Sequence, residues 1–295
     1  MKAQVLLPKL FNHPFTYSSG VLKLKIGDIV EVPFGKKKEI GVIWKNTYYE
    51  PKNIKIKKIN KKIENLSLDG RLIEFIEWFS SYNLVPIGLV LKMVIGSNDN
   101  YFKKNTEQLN IRRIKEKEFY LNNQQKKALY FLKNNKNKFD VAVLHGTTGS
   151  GKTIVYFERI RKILEKNKQA LVLLPEIFLT NEFKLRFEDF FGYEPAIWHS
   201  KITPKKKRQI WRGILENKIK LVVGARSALL LPFKKLGIII VDEEHDTSYK
   251  QDEGVIYNAR DMAISRAMFE KIPINLITSV PSIETHNNIK KKKYR

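Results

Sequence analysis

Cysteine is absent from the 295 residues. That excludes disulfides, thiolate zinc sites, iron–sulfur clusters and cysteine nucleophiles. Long hydrophobic runs are also missing. No stretch approaches the ~20 apolar residues needed to span a bilayer, and the longest, such as Ile238–Val241, are strand-sized. Pro8 and Lys9 interrupt the N-terminus where a signal peptide would be continuously apolar. The chain is therefore expected to be soluble and cytoplasmic, with no membrane partner. Acidic residues are scarce beside basic ones: 30 Asp+Glu face 55 Lys+Arg, a formal charge of +25. Such an excess predicts salt-sensitive attraction to polyanions. Lys, Asn and Ile are abundant, so compositional drift supplies part of it, and it is spread over both halves rather than held in a basic tail. The 43% apolar fraction suffices for real cores and rules out wholesale disorder. The length suits two domains at roughly 150 residues each.

The first 60 residues read as short β-strands between turns. Gln4–Leu7, Ile29–Val32 and Gly41–Trp44 are apolar and β-branched, and Pro and Gly punctuate the stretches between them. A small β-barrel or curled sheet is expected. Leu72, Ile73, Phe75, Ile76 and Phe79 then recur at helical spacing. From Leu121 onward the pattern changes. Apolar runs at Val141–Leu144, Ala170–Leu174, Leu221–Val223, Ile238–Val241 and Ile274–Ile277 alternate with amphipathic stretches at Thr153–Lys166, Leu179–Phe191, Pro204–Asn217 and Ala259–Phe269. This alternation predicts an α/β fold with a parallel sheet covered on both faces. There is no internal repeat.

Residues 146–153 read G-T-T-G-S-G-K-T, a P-loop pattern lying between an apolar strand and a helix. Gly146, Gly149 and Gly151 let backbone N–H groups curl around phosphate oxygens, with Thr147, Thr148 and Ser150 between them. The helix N-terminus adds a field that favours anions. Lys152 reaches toward the β and γ phosphates, and the Thr153 hydroxyl suits Mg²⁺. Residues 238–246 read I-I-I-V-D-E-E-H-D, an apolar strand ending in carboxylates as a Walker B element does. Asp242 is expected to hold Mg²⁺ and Glu243 to orient and deprotonate the attacking water. Glu244 and His245 are open to a reading as solvated loop residues. His245 suits a γ-phosphate or inter-lobe coupling role better than metal ligation.

With D-E-E-H following a P-loop, the chain resembles superfamily 2 helicases, and more narrowly the primosomal replication-restart helicase family, PriA (primosomal protein N′). Leu121–Gln125 is similar to that family's glutamine element, which makes Gln125 the adenine reader. Leu174–Thr180 resembles its L-P-E-I-x-L-T element. Trp198-His199-Ser200 with Arg208 and Trp211, Gly224–Ala228, and residues 246–261 with their aromatic-rich loop resemble further elements in order. The N-terminal V-L-L-P-K-L…F-T-Y…I-G-D-I-V-E-V-P-F-G is similar to the family's domain that binds 3′ DNA ends. The resemblance implies a RecA-like lobe over 121–295, preceded by a small, mainly β DNA-end-binding domain over 1–98 and a linker over 99–120. It implies an ATP-dependent 3′→5′ DNA helicase of replication restart and primosome assembly. The cofactors would be ATP and Mg²⁺. The partners would be forks, single strands and 3′ ends, with other primosome proteins and single-strand binding protein.

For DNA, Thr180 and the Arg226–Ser227 pair follow strands and suit backbone phosphates. Tyr249, Lys250 and Tyr257 follow Walker B directly and suit base stacking beside a cation, with packing on the domain surface as the alternative. Trp198 and Trp211 read as packing residues and Lys205–Arg208 as a solvated face. In the N-terminal domain, Phe15, Tyr17 and Lys36 are candidate 3′-end contacts.

The sequence departs from the family in three places. T-S-V-P-S at 278–282 stands where the family has S-A-T-P-S, so Val280 lacks a hydroxyl thought to join the ATP and DNA sites. Residues 97–120 are too few for the family's winged helix. A second lobe, with its arginine finger and eight-cysteine zinc module, does not occur before Arg295, so no zinc site is expected. Weak ATPase without unwinding is therefore expected from these residues alone, and a non-catalytic DNA-binding remnant is the alternative.

Overall fold

The computed structural model describes residues 1–45, 56–96, 119–133 and 139–295. Contacts divide the chain into two units. One holds the described residues up to Gly96 with Trp211–Glu216 and Leu230–Lys234, and the other holds the rest. The expected linker over 99–120 lies, apart from its last two residues, outside the described residues.

The first unit is built on five antiparallel strands, β1 (Lys2–Leu6), β2 (Phe15–Ser18), β3 (Asp28–Phe34), β4 (Lys37–Ile43) and β5 (Lys61–Ser67), in the order β2-β1-β4-β3-β5. Val5, Leu7, Tyr17, Val30, Val32, Ile43 and Ile59 form its core. Helix α1 (Gly70–Tyr82) starts at Asp69, whose carboxylate accepts from Arg71 N at 2.9 Å. It buries the five residues whose spacing marked it, Leu72, Ile73, Phe75, Ile76 and Phe79. Helix α2 (Ile87–Ile95) was not expected from the sequence, because it is short and sits between Pro86 and Gly96. Its start depends on Gly88, where a Cβ would lie 2.1 Å from the Lys9 carbonyl oxygen. That closeness lets Gly88 N donate to Phe11 O at 3.0 Å.

The second unit is a six-stranded, wholly parallel sheet in the order β6-β13-β10-β7-β9-β8. Its strands are β6 (Asp140–His145), β7 (Gln169–Leu173), β8 (Ala196–Trp198), β9 (Leu221–Gly224), β10 (Leu236–Val241) and β13 (Pro273–Thr278). A two-residue pair, β11 (Lys250–Gln251) and β12 (Tyr257–Asn258), precedes β13. The helices are α3 (Asn123–Lys133), α4 (Lys152–Leu164), α5 (Asn181–Phe191), α6 (Pro204–Leu215), α7 (Ala259–Glu270) and α8 (Ile283–Lys290). The central strands β7 and β10 are buried along their whole length, as continuous apolar runs in a parallel sheet require. Tyr156, Phe157, Phe187, Phe190 and Phe191 pack with them in one core. The register aligns His145 with Thr278 and Val241 with both Leu276 and Leu173. Consequently the segments after β6, β13, β10 and β7 emerge together at the carboxyl edge, where open α/β sheets bind ligands.

Candidate nucleotide site and DNA-contact residues

The loop between β6 and α4 has the backbone a phosphate cradle needs. Gly149 and Gly151 have φ of +79° and +80°, a region costly for residues with a Cβ. At Gly151 a Cβ would also fall 2.3 Å from Gln125 Nε2. Lys152 Nζ donates to the carbonyls of Gly146 at 2.7 Å and Thr147 at 3.0 Å. The ammonium is thus held over the loop's own oxygens, which a phosphate would displace. Thr147, Thr148 and Ser150 are exposed along the loop, and Thr153 lies half-buried in the first turn of α4.

Gln125 closes the other side. Its side chain accepts from Asn122 N at 3.0 Å while Asn122 Oδ1 accepts from Gln125 N at 2.9 Å, a reciprocal cap at the start of α3. Its Nε2 donates to Ser150 O at 3.2 Å. A cleft of about 260 Å³ opens between the two elements, lined by Asn122, Gln124, Gln125, Gly146, Thr147 and Lys152 among others.

The two carboxylates following β10 stand in different environments. Asp242 is only 8% exposed. Tyr156 OH donates to its Oδ2 at 2.9 Å and Glu243 N donates to its Oδ1 at 3.0 Å. Burial, opposed by the Tyr156 hydrogen bond and reinforced by the Glu243 charge, pushes its pKa up to about 6. A buried carboxylate with so few donors suits a cation at its remaining lone pairs. Glu243 is half-buried and has φ of +47°, a strained value for a non-glycine residue. Its Oε2 lies 3.7 Å from His245 Nδ1. Among the described residues there is no cluster of three or more His, Cys, Asp or Glu able to hold a metal by themselves. The Asp242 carboxylate and the Thr153 hydroxyl are oxygen donors of the kind that suits Mg²⁺.

Glu244 corrects the expectation of a solvated loop. It is 1% exposed, and its carboxylate accepts from Ser282 N, Ser282 Oγ, Thr285 Oγ1 and Arg260 Nη1 at 2.8 to 3.3 Å. His245 is exposed at its rim, and its Nδ1 pairs with Thr278 Oγ1 at 2.8 Å. A hydroxyl of the T-S-V-P-S turn thus reaches Walker B, but it comes from Thr278, while Val280 is 66% exposed.

The expected DNA-contact residues divide. Thr180 is exposed and caps α5, its Oγ1 accepting from Phe183 N at 3.2 Å. Ser227 and Lys250 are exposed, and Arg226 Nη1 donates to Lys250 O at 2.6 Å. All four follow strands of the sheet in sequence, Thr180 after β7, Arg226 and Ser227 after β9, and Lys250 after β10. Tyr249 and Tyr257 do not present faces for stacking. They are 1% and 3% exposed, and Tyr249 OH donates to the carbonyls of Leu173 and Asp242 at 3.0 and 2.6 Å. Burial first, and then the Asp242 charge, raise the Tyr249 phenol well above its ordinary pKa. Both rings are enclosed, which favours packing over base stacking. In the first unit Tyr17 is likewise buried, its OH donating to Pro33 O at 3.2 Å, whereas Phe15 is half-buried and Lys36 exposed. Trp198 and Trp211 pack as expected. Sequence reasoning missed Tyr156, Arg260 and Thr285. Tyr156 sits one turn after Lys152 on α4, a spacing that could have marked it.

Residues 4–96 match the model of a 3′DNA-binding domain, and residues 122–283 match that of DEAD/DEAH box helicases. Replication restart protein PriA of Rickettsia conorii is 43% identical over 99% of this chain and 45% of its own length. The Rickettsia prowazekii protein of that name is 44% identical over the same shares, and the Bacillus subtilis protein is 46% identical over 52% of this chain and 19% of its own. The chain therefore spans about 45% of the length of the Rickettsia relatives. With more than half of its residues matched by one family model, the chain belongs to the DEAD/DEAH box helicases, and it is similar to the replication restart proteins PriA.

Proposed function

We propose that the chain is the ATP- and DNA-binding part of a 3′→5′ DNA helicase that acts in the cytoplasm at stalled forks, in replication restart and primosome assembly. The observation that carries this reading is the joining in one chain of a 3′DNA-binding domain match and a sheet edge that gathers a P-loop with two Walker B carboxylates. We assign end recognition to residues 1–98 and the motor lobe to 121–295. Gly146 to Gly151 cradle the phosphates, Lys152 counters their charge, and Gln125 reads adenine. Thr153 and Asp242 hold Mg²⁺, which when bound neutralises phosphate charge. Glu243 accepts the proton of the attacking water, and the nearby His245 restrains its carboxylate.

Thr180, Arg226, Ser227 and Lys250 meet the phosphates of a single strand, and Phe15 with Lys36 meets the 3′ end. Other primosome proteins and single-strand binding protein are the proposed protein partners. A single lobe offers no arginine finger to the γ-phosphate, a group worth ~10³–10⁵ in rate in related phosphoryl transfer. These residues alone are expected to bind ATP, hydrolyse it feebly and not unwind DNA. The test compares affinity for forks with and without a free 3′ end at the junction. Tighter binding to the fork carrying the end is expected, and equal affinity would remove the end-binding role.

A further inference from the structure

Tyr156 has no part in the chemistry assigned above, yet its hydroxyl reaches the nucleotide edge from inside the core. The side chain is 0% exposed. Its ring belongs to the core that holds Val172, Leu174 and Ile240, with the Phe157 ring edge-on at 5.1 Å. Close packing of that kind leaves a ring little freedom to turn, so the phenol oxygen is held in one place. It donates to Asp242 Oδ2 at 2.9 Å, and Glu243 N donates to Oδ1 at 3.0 Å. One donor on each oxygen fixes the plane of the carboxylate. Both donors are neutral, so the carboxylate keeps its charge, whereas an arginine or lysine in their place would compete with a cation for it. Tyr156 also stands three residues after Thr153 and four after Lys152 on α4, a spacing that puts the three on one face of the helix. The bond to Asp242 therefore ties the helix that carries the Thr153 hydroxyl to the end of β10. Tyr249 gives a contrast at the same residue. Its hydroxyl donates to the main-chain carbonyls of Leu173 and Asp242, and so holds the backbone there and not the carboxylate.

We infer that Tyr156 is a positioning residue for the metal: by holding the Asp242 carboxylate from the helix that carries Thr153, it presets this pair of oxygen donors for a Mg²⁺ that arrives with the nucleotide. This rests on the reading of Asp242 and Thr153 as Mg²⁺ ligands. Tyr156 is itself enclosed and acts only through Asp242. Removing a hydrogen-bond partner of a metal ligand typically costs roughly 10–100-fold in metal affinity.

The test titrates Mg²⁺ into the full 295-residue chain in the presence of a fluorescent ATP analogue and reads the Mg²⁺ concentration at half-maximal binding. In Tyr156→Phe, which keeps the ring, that midpoint should rise about ten-fold, while the affinity for the analogue in EDTA stays at the wild-type value. Tyr249→Phe also loses a buried hydroxyl beside Asp242, yet its Mg²⁺ midpoint should not move. A merely structural role for Tyr156 would lower the melting midpoint and leave the Mg²⁺ midpoint alone. An unmoved Mg²⁺ midpoint in Tyr156→Phe, or an equal rise in Tyr249→Phe, overturns the inference. If Tyr156→Phe does not fold, the double variant Tyr156→Phe/Asp242→Asn, with no carboxylate left to orient, is compared with Asp242→Asn. Equal Mg²⁺ midpoints then support the inference, and a further rise in the double variant overturns it. A wild type that binds no analogue, or binds it equally with and without Mg²⁺, overturns the underlying reading instead.

Discussion

The phosphate loop and the two tyrosines after Walker B stand in opposite relation to solvent. In the loop, Thr147 to Ser150 are exposed, the conformation is set by glycines in the left-handed region, and the Lys152 ammonium rests on carbonyls of its own segment. Tyr249 and Tyr257 are enclosed, and the Tyr249 hydroxyl satisfies the carbonyls of Leu173 and Asp242, the junctions where β7 and β10 hand over to their functional loops. The loop thus has the shape of a cradle for an anion. The tyrosines complete the shape of what carries it. An aromatic residue close in sequence to a catalytic carboxylate is as readily a brace for that carboxylate as a surface for a ligand.

Lys152→Ala breaks the exposed side of this comparison and has the largest expected effect. Removing the ammonium should reduce ATP-analogue affinity by about a hundred-fold, the scale of losing one charge-assisted contact of about 3 kcal/mol. The melting midpoint should barely move, because only loop carbonyls lose a partner. Calorimetric titration and a thermal melt on the same sample check both. A large fall in stability with affinity intact would mean that the lysine is structural.

Tyr249→Ala tests the enclosed side. Truncating a buried aromatic should cost about 3–5 kcal/mol in urea denaturation. Tyr249→Phe should cost about 1 kcal/mol for the lost hydroxyl hydrogen bond, since Leu173 O keeps Asp242 N as a donor at 3.0 Å. Single-strand affinity of the folded Tyr249→Phe protein should stay at the wild-type level. If Tyr249→Ala instead left stability untouched and abolished DNA binding, the stacking role would stand and the contrast with the P-loop would fail.

The two sides also differ in how far the sequence discloses them. Gly146 to Thr153 could be placed because each residue type answers a local demand: a positive φ, a phosphate charge, a metal-facing hydroxyl. The alternation of apolar runs with amphipathic stretches gave the parallel sheet for a similar reason, since buried strands cannot afford polar residues. Burial of Tyr17, Tyr249 and Tyr257 depends on partners far off in sequence, such as the Pro33 carbonyl and Leu173, and no local pattern reports those. Glu244 is the sharpest case. Within D-E-E-H its carboxylate is chemically the twin of Glu243, and only the return of Ser282 and Thr285 from beyond β13 separates a buried anchor from a candidate base. Helix α2 and the short edge strand β8 were missed for another reason: nine and three residues carry too little periodicity to stand out.

Val280→Thr carries the smallest expected effect and bears on the same contrast. By sequence, the valine replaces a hydroxyl that would join the two sites. In the structure its side chain is 66% exposed, while its backbone engages Thr278. Val280 N donates to Thr278 Oγ1 at 3.2 Å, and Thr278 Oγ1 donates to Val280 O at 2.8 Å. The same oxygen meets His245 Nδ1 at 2.8 Å, so the turn's link to Walker B is already made. A hydroxyl added at 280 enters solvent, and stability should change by no more than about 0.5 kcal/mol. The ratio of nucleotide affinities with and without oligothymidylate should also stay at its wild-type value, whereas Thr278→Val, which deletes the shared oxygen, should lower it. A Val280→Thr protein with a clearly larger ratio would show that the residue at 280 turns inward when both ligands are bound, and would move the link from a buried side chain to an exposed one.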